Sequence, residues 1–423
     1  MEQHKGQDNI SERHELCIMG VKTCAVLLGT FVTVFLTAQI FIVSDQNVVT
    51  TALFITMYLV SFFVFHLLSS FLARPLSPVR LIQISSILCF LFLLVITLWP
   101  ELVETHAVFL GIAWGLARGF YWSGIEYIVA TSFKGSRTLK FELLYRKLKL
   151  VAGILFPVTL GLIINFGDFT YTIMAILFVC VAQVAFSLGL KKQEEVENRG
   201  VCFRQFFQNI SQKNISKQAW GLWIVALFRG TKSVLNMSIP ILIIVAYGTH
   251  LNLGILMSVI SLLSIILIFV YRRAPLRIQA KIYFALAILL FLSSVPLFFL
   301  VSYVTVAAYQ FFVKTNSIID SEYGAAYANF AKTCCGEQFT LASHSFLTAG
   351  HTVGRVVMCV ALIGAGLIGG MYALVAAIFL MTVSSLVTAL LLWRWKKKYI
   401  FTTEMSQDEV NSCYCECKGG CLC

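Results

Sequence analysis

Long apolar runs recur along nearly the whole chain, and each is close to the length of a helix that crosses a membrane. A helix needs about 20 residues to cross about 30 Å of hydrocarbon. Backbone polar groups in lipid must pair within their own segment, so the runs are predicted to be helices. Because 59% of the 423 residues are hydrophobic and only 12% are charged, an ordinary soluble enzyme is excluded. The sequence therefore predicts an all-α polytopic membrane protein.

Hydropathy divides the chain into twelve predicted transmembrane helices, although hydropathy alone would tolerate eleven. The predicted spans are 19–43, 48–72, 80–100, 106–131, 148–166, 169–190, 219–246, 251–271, 282–301, 304–328, 344–368 and 371–393. The distribution of charge decides between the two counts.

The Lys and Arg residues are concentrated in the N-terminal tail, in every second connection after it and in the C-terminal tail. The intervening connections, such as "SDQN" and "NFGDF", contain none. A wrong helix count would scramble this alternation, so the positive-inside rule predicts that both termini are cytoplasmic, in a multi-pass protein of the plasma membrane. The formal charge of +12 then reflects topology. No nucleic-acid partner is expected, because the basic residues are spread over separate segments.

The longest interior connection divides the chain into two six-helix bundles. The predicted parts are a cytoplasmic N-terminal tail 1–18, an N-terminal six-helix bundle 19–190, a cytoplasmic linker 191–218, a C-terminal six-helix bundle 219–393 and a cytoplasmic Cys-rich tail 394–423. The segment "CFRQFF" in the linker predicts a short amphipathic helix on the membrane surface, with a plain solvated linker as the alternative.

The two predicted bundles share a pattern of charged residues. When span 4 is aligned with span 10, Arg118 coincides with Lys314 and Glu126 with Glu322, followed by matching Tyr and Ala residues. In both spans the acid lies about 12 Å further along the helix than the base and in the same quadrant. Such a repeat is typical of two bundles related by an axis along the membrane normal.

With its long central loop and mid-membrane Arg118, this arrangement resembles the major facilitator superfamily (MFS) of transporters over about residues 19–393. The loop "SFLARPLSPVR" retains part of the family's pattern between spans 2 and 3, with Arg74 in the place of its acid. Span 5 retains Pro157 and Gly161 of the family's antiporter pattern. The resemblance implies two helical bundles that alternate access to a midplane site.

Ionisable residues inside the spans are the candidates for function, because they are costly in lipid unless they face protein or water. We predict that carboxylates exchange protons while nearby bases tune them. Structural ion pairs, Arg118 with Glu126 and Lys314 with Glu322, are one alternative, and acids at the inner membrane interface are another. The proton-coupling candidates are Glu126, Glu322, Asp320 and His351.

A second group of polar residues is predicted to line a central cavity and bind substrate. In span 11 they recur at helical spacing on one stripe, and His66 in span 2 is interpreted instead as a structural histidine. Away from the ends of the spans, five basic residues against three acids favour a substrate with an anionic group, or one charged at both ends. The cavity candidates are Arg118, Arg229, Lys232, Asn236, Lys314, His344, Thr348, Arg355 and Trp122.

The C-terminal segment "CYCECKGGCLC" is rich in cysteine. In the cytoplasm its thiols would remain reduced, so a disulfide framework is not expected. We interpret the tail as inert, with soft-metal binding or lipid attachment as alternatives. The metal-ligand candidates in this tail are Cys413, Cys415, Cys417, Cys421 and Cys423.

These features predict a monomeric secondary transporter, without a cofactor, in the lipid bilayer. The chain lacks a Walker-type loop, so ATP is not expected to drive it directly. The first hypothesis is proton-coupled export of a small amphipathic compound. Uptake of a small organic anion, lipid flipping, and a non-transporting membrane enzyme or receptor remain alternatives.

Overall fold

A computed structural model describes residues 12–133, 136–190, 203–211, 213–273, 276–316, 323, 326 and 340–399. A described helix covers most of each predicted span except 304–328, for which the described helix ends at Thr315. The helices are α1 Glu12–Val43, α2 Val48–Leu76, α3 Pro78–Leu98, α4 Ala107–Ser132, α5 Ser136–Phe166, α6 Phe169–Leu188, α7 Lys213–Tyr247, α8 His250–Arg273, α9 Leu276–Ser294, α10 Tyr303–Thr315, α11 Thr340–Ile368 and α12 Gly370–Tyr399.

Nine helices in the described part of the chain are long and apolar enough to cross a membrane. The helix α4, which carries Arg118 and Glu126, is not among them, nor is α10, whose described part has 13 residues. The described chain contains no strand. The prediction of an all-α polytopic membrane protein is confirmed.

Several helices begin where the sequence supplies a capping side chain. The Asn47 side chain accepts hydrogen bonds from the backbone amides of Val49 and Thr50 at the start of α2, at 2.9 and 3.2 Å. Ser302 and Thr305 form a capping box at the start of α10. Such caps pair backbone amides that a helix leaves without an internal partner.

The predicted linker contains one short helix, Phe203–Ile210. Phe206 is fully buried, with its ring centroid 5.9 Å from that of Phe346 on α11, whereas Phe207 is half exposed. The described part of the linker therefore contains a helix with one buried and one exposed face, whereas its predicted position on the membrane surface stays a prediction.

Within each half, glycines allow parallel helices to approach closely. In the N-terminal half, α1–α6, a Cβ atom at Gly111 or Gly115 would collide with backbone oxygens of α2. In the C-terminal half, α7–α12, a Cβ atom at Gly230 would collide with the carbonyl oxygen of His351, and one at Gly354 with that of Leu227. The backbones of α7 and α11 are consequently in direct contact.

The two halves meet along α2 with α11 and along α5 with α8. We call the end of the molecule where α1 begins and α12 ends the terminal end, and the other the opposite end. Near the opposite end, Gly366 of α11 packs against Val49 of α2, and Gly254 of α8 packs against the carbonyl oxygen of Pro157 on α5. Close backbone contact between the halves is therefore concentrated at that end.

Candidate functional site

An ionisable pair joins the two halves toward the terminal end. The Nδ1 atom of His344 on α11 lies 3.0 Å from the Oε2 atom of Glu126 on α4, and the two side chains are 25% and 22% exposed. The sequence predicts both residues as functional but assigns them to separate roles, proton coupling for Glu126 and cavity lining for His344. The structure brings them together.

A small polar network lies on α2 and α4 near this pair. The Nδ1 atom of His66 lies 2.9 Å from the Oγ atom of Ser123, which accepts a 2.6 Å hydrogen bond from the hydroxyl of Ser69. The His66 ring stacks on Phe62, with centroids 5.8 Å apart. His66 is thus held by hydrogen bonding and packing, which agrees with its interpretation as a structural histidine.

Two polar contacts, one turn apart, connect α7 to α11. The Nη1 atom of Arg229 donates a 3.3 Å hydrogen bond to the Nε2 atom of His351, and the Nε atom of Arg355 donates a 2.9 Å hydrogen bond to the Oγ atom of Ser233. We call these two contacts the α7–α11 ladder. Because arginine is only a donor, Nε2 of His351 is the acceptor and the proton of the neutral ring lies on Nδ1.

Aromatic rings lie against both guanidinium groups of the ladder. The Cζ atom of Arg229 lies 4.4 Å from the ring centroid of Tyr323, and the Cζ atom of Arg355 lies 5.6 Å from that of Phe62. Since Phe62 belongs to α2, the ladder reaches the boundary between the halves. Ser233, Tyr323 and Phe62 are absent from the sequence-based candidates, because nothing in an isolated hydroxyl or aromatic residue indicates which arginine it will contact.

The polar strip predicted on α7 is divided between different neighbours. The Nζ atom of Lys232 is buried and donates a 2.9 Å hydrogen bond to the backbone oxygen of Asn316, at the end of α10. Asn236, one turn further, is exposed although most of the adjacent residues of α7 are buried. On α11, the half-buried Thr348 lies between His344 and His351. Lys232 therefore contacts α10, whereas Arg229 contacts α11.

Arg118 is bound to α1 rather than to the acid on its own helix. Its Nη1 atom donates a 3.3 Å hydrogen bond to the backbone oxygen of Ala25. Its Cζ atom lies 4.7 Å from the ring centroid of Tyr121 and 5.9 Å from that of Trp122, whose side chain is 38% exposed. The alternative of an Arg118–Glu126 ion pair does not match this geometry, because Glu126 pairs with His344 instead.

The corresponding candidates in the C-terminal half are only partly described. Lys314 lies half buried in the last turn of α10. Asp320 and Glu322 lie outside the described residues, as do the tail cysteines from Cys413 to Cys423. Their predicted roles stay predictions. In the part of the chain that the structure describes, no group of three or more metal-ligating side chains is present.

A buried hydrogen bond between the halves near the opposite end is not among the predicted site residues. The Nε2 atom of His250 on α8 lies 3.0 Å from the Oε1 atom of Gln39 on α1, and the His250 ring packs against Phe35 and Phe169. Gln39 also lines a cavity of about 260 Å³, together with Glu101, Glu104 and Asp168. His250 is the first residue of α8 and follows a short connection after α7. Its position in the sequence therefore indicates the start of a helix and does not indicate a contact with α1.

No protein-family model matches the chain, and a search of curated proteins found no match. Solved structures are similar. The peptide transporter PepTSo of the POT family matches with a TM-score of 0.68 and 11% identity, over 94% of this chain and 99% of that one. The nucleoside transporter NupG matches with a TM-score of 0.62 and 12% identity, over 90% of this chain and 99% of that one. A D-xylose-proton symporter matches with a TM-score of 0.65 and 11% identity, over 90% of this chain and 98% of that one. These likenesses confirm the predicted MFS-like fold.

Proposed function

We propose that the chain is a secondary transporter that exposes a central site alternately to the two sides of the membrane. The observation that carries the proposal is the Glu126–His344 pair, because it is ionisable and joins the two halves. A contact of this kind stabilises one arrangement of the halves over another. The solved structures of similar fold bear the names of peptide, nucleoside and xylose-proton transporters.

Protons are the coupling ion in this proposal. The Glu126–His344 attraction is complete only while the carboxylate is ionised and the imidazole is protonated. Proton uptake by Glu126, or proton loss from His344, removes one charge and weakens the contact between the halves. Asp320, Glu322 and His351 stay as further coupling candidates on the strength of the sequence.

The terminal end is proposed to face the cytoplasm, in the plasma membrane. The support is the concentration of Lys and Arg in the tails and alternate connections. The Glu126–His344 pair would then connect the halves on the cytoplasmic side, and the packing of Val49 with Gly366 would connect them on the outer side.

Export of a small amphipathic compound by a monomer remains the preferred direction. It is supported by the partial antiporter pattern of α5, whose Pro157 and Gly161 pack against Gly254 and His250 of α8. This pattern thus lies at a contact between the halves, where a carrier must loosen and close. Uptake of a small organic anion is the second candidate, and it is supported by the surplus of basic over acidic residues in the interior of the predicted spans.

The experiment is transport by the purified full chain in liposomes. Labelled amphipathic solutes are tested with and without a pH gradient, and an internal pH-sensitive dye reports proton movement. Solute flux that depends on the gradient, together with proton movement that depends on the solute, is expected. A chain that is folded in the liposomes and moves no member of a broad panel would instead support a non-transporting receptor or an enzyme.

A further inference from the structure

We propose that the solute is a small organic anion and that the α7–α11 ladder binds its anionic group. This inference rests on the proposed transport function and names the substrate class of the same site. The ladder consists of the Arg229–His351 and Arg355–Ser233 contacts. Three observations support it: the charge of Arg355, the unused hydrogen-bonding atom of the ladder and the geometry of the two contacts.

Among the residues that the structure describes, no negatively charged side chain contacts Arg355. Its contacts are the hydroxyl of Ser233 and the ring of Phe62, and neither carries a negative charge. Glu126 on α4, an acid of the described core, pairs with His344 instead. A partly buried cation is costly without an anion nearby, so an anionic ligand would stabilise this site.

A hydrogen-bonding atom of the ladder also lacks a partner among the residues that the structure describes. The Nδ1 atom of His351, which carries the ring proton, is buried and has no hydrogen-bond partner in the structure. Buried polar groups are nearly always paired with protein, water or ligand. An available donor favours a ligand with acceptor oxygens.

The geometry of the ladder suits a carboxylate. Arg229 and Ser233 are one helical turn apart on α7, as are His351 and Arg355 on α11, so the backbone positions of the two contacts are about 6 Å apart along the helix axes. The rings of Tyr323 and Phe62 lie against the guanidinium groups. Arg355 donates to Ser233 through Nε and has Phe62 against its face, so its Nη edge is the one that a carboxylate would contact.

The position of the ladder explains how a bound anion would be sensed by both halves. Arg355 belongs to the C-terminal half, and its neighbour Phe62 belongs to the N-terminal half. An anion held by the ladder would therefore lie beside the boundary that changes during alternating access. Neutral solutes of equal size would leave Arg355 without its counter-charge.

The test compares matched solutes in liposomes that contain the wild type, Arg355→Gln, Arg355→Lys or Arg13→Gln. The solutes are sets of aromatic carboxylates, their neutral amides and their amines. We expect flux of carboxylates only, reduced at least about tenfold by Arg355→Gln, which corresponds to 1.4 kcal/mol. Arg355→Lys should retain part of the flux, because it keeps the charge but loses the bidentate fork. Arg13 is exposed near the start of α1, so Arg13→Gln should have no effect.

A binding measurement keeps the outcome independent of folding and turnover. Transported carboxylates should raise the melting temperature of the wild type and of Arg13→Gln but not that of folded Arg355→Gln. Flux of amides or amines that Arg355→Gln leaves unchanged would overturn the inference while the transport function stands. Absence of flux for every solute would contradict the proposed function itself.

The headgroup of an anionic lipid is another anionic group that the ladder could bind. The measurements are therefore made in phosphatidylcholine vesicles with and without phosphatidylglycerol. Carboxylate flux that is the same in both is expected. If phosphatidylglycerol alone raises the melting temperature of the wild type and not of Arg355→Gln, the occupant is a lipid headgroup and the inference is wrong.

Discussion

His344 of α11 and Glu126 of α4 lie 3.0 Å apart, and this contact connects the two halves of the molecule toward the terminal end. It lies close to the hydrogen-bonded His66 and about two turns of α11 away from His351. In the proposed function, a change of protonation at this pair would alter a contact between the two halves.

Replacing Glu126 by Gln should remove the response of transport to pH. The amide is similar in size and stays neutral, so the attraction to a protonated His344 is lost at every pH. Coupling free energies between two sites are typically about 1–3 kcal/mol, which corresponds to a change in affinity of about 5–150-fold. We therefore expect gradient-driven flux to fall at least about fivefold. The measurement is liposome flux across a series of pH gradients. Glu12→Gln, an exposed acid at the start of α1, is the control. An unchanged pH profile in Glu126→Gln would remove Glu126 from the coupling role.

Replacing Gly354 by Ala should destabilise the C-terminal half. A Cβ atom there collides with the backbone oxygen of Leu227 on α7, and backbone cannot move aside cheaply. Overpacking of this kind costs about 1–3 kcal/mol. Thermal unfolding in detergent should show a lower melting temperature. Gly364→Ala is the matched control on the same helix, because a Cβ atom at Gly364 meets nothing within 4 Å. Equal melting temperatures for the two variants would contradict the close α7–α11 contact.

Replacing Gly254 by Ala should slow transport with less effect on stability. Its Cβ atom would meet the backbone oxygen of Pro157, across the boundary between α8 and α5, whereas the packing inside each half is untouched. The halves would then close poorly at the opposite end. Flux should fall several-fold relative to Gly153→Ala, whose added Cβ atom meets nothing within 4 Å. Wild-type flux in Gly254→Ala would show that this contact does not limit the cycle.

A double-mutant cycle should detect the buried hydrogen bond between His250 and Gln39. His250→Leu, Gln39→Leu and the double variant are compared by thermal unfolding. The coupling should be about 0.5–1.5 kcal/mol, the net value of a buried neutral hydrogen bond. The exposed contact of Thr105 with His106 is the control and should give no measurable coupling. If the His250–Gln39 coupling is also zero, the halves do not interact through this bond.

The sequence predicts the helices well and their partners poorly. Apolar runs and capping residues are local, so a described helix covers most of each predicted span except 304–328, whose described helix ends at Thr315. The i, i+4 spacing of His351 and Arg355 likewise predicts that they share a face. Partner choice depends instead on which helices become neighbours. For this reason the shared quadrant of Arg118 and Glu126 on one helix did not reveal that Arg118 contacts α1 and Glu126 contacts α11.

Polar residues without a charge are the hardest to recognise from sequence. Ser233 and Gln39 resemble any other polar residue in a long helix, yet they contact Arg355 and His250. The one available signal is the position of Ser233 one turn after Arg229, which repeats the spacing of His351 and Arg355. Two facing helices with equal polar spacing are able to form two contacts at once.

The backbones of α7 and α11 touch at Gly230 and Gly354, so we expect these two helices to move together. Both arginines of the ladder are attached to these two helices, so their spacing should stay constant while the surrounding helices tilt. A solute bound to the ladder would stay bound to the C-terminal half throughout the cycle and would not transfer to the N-terminal half. Its release would depend on α2 and α4 drawing back from it.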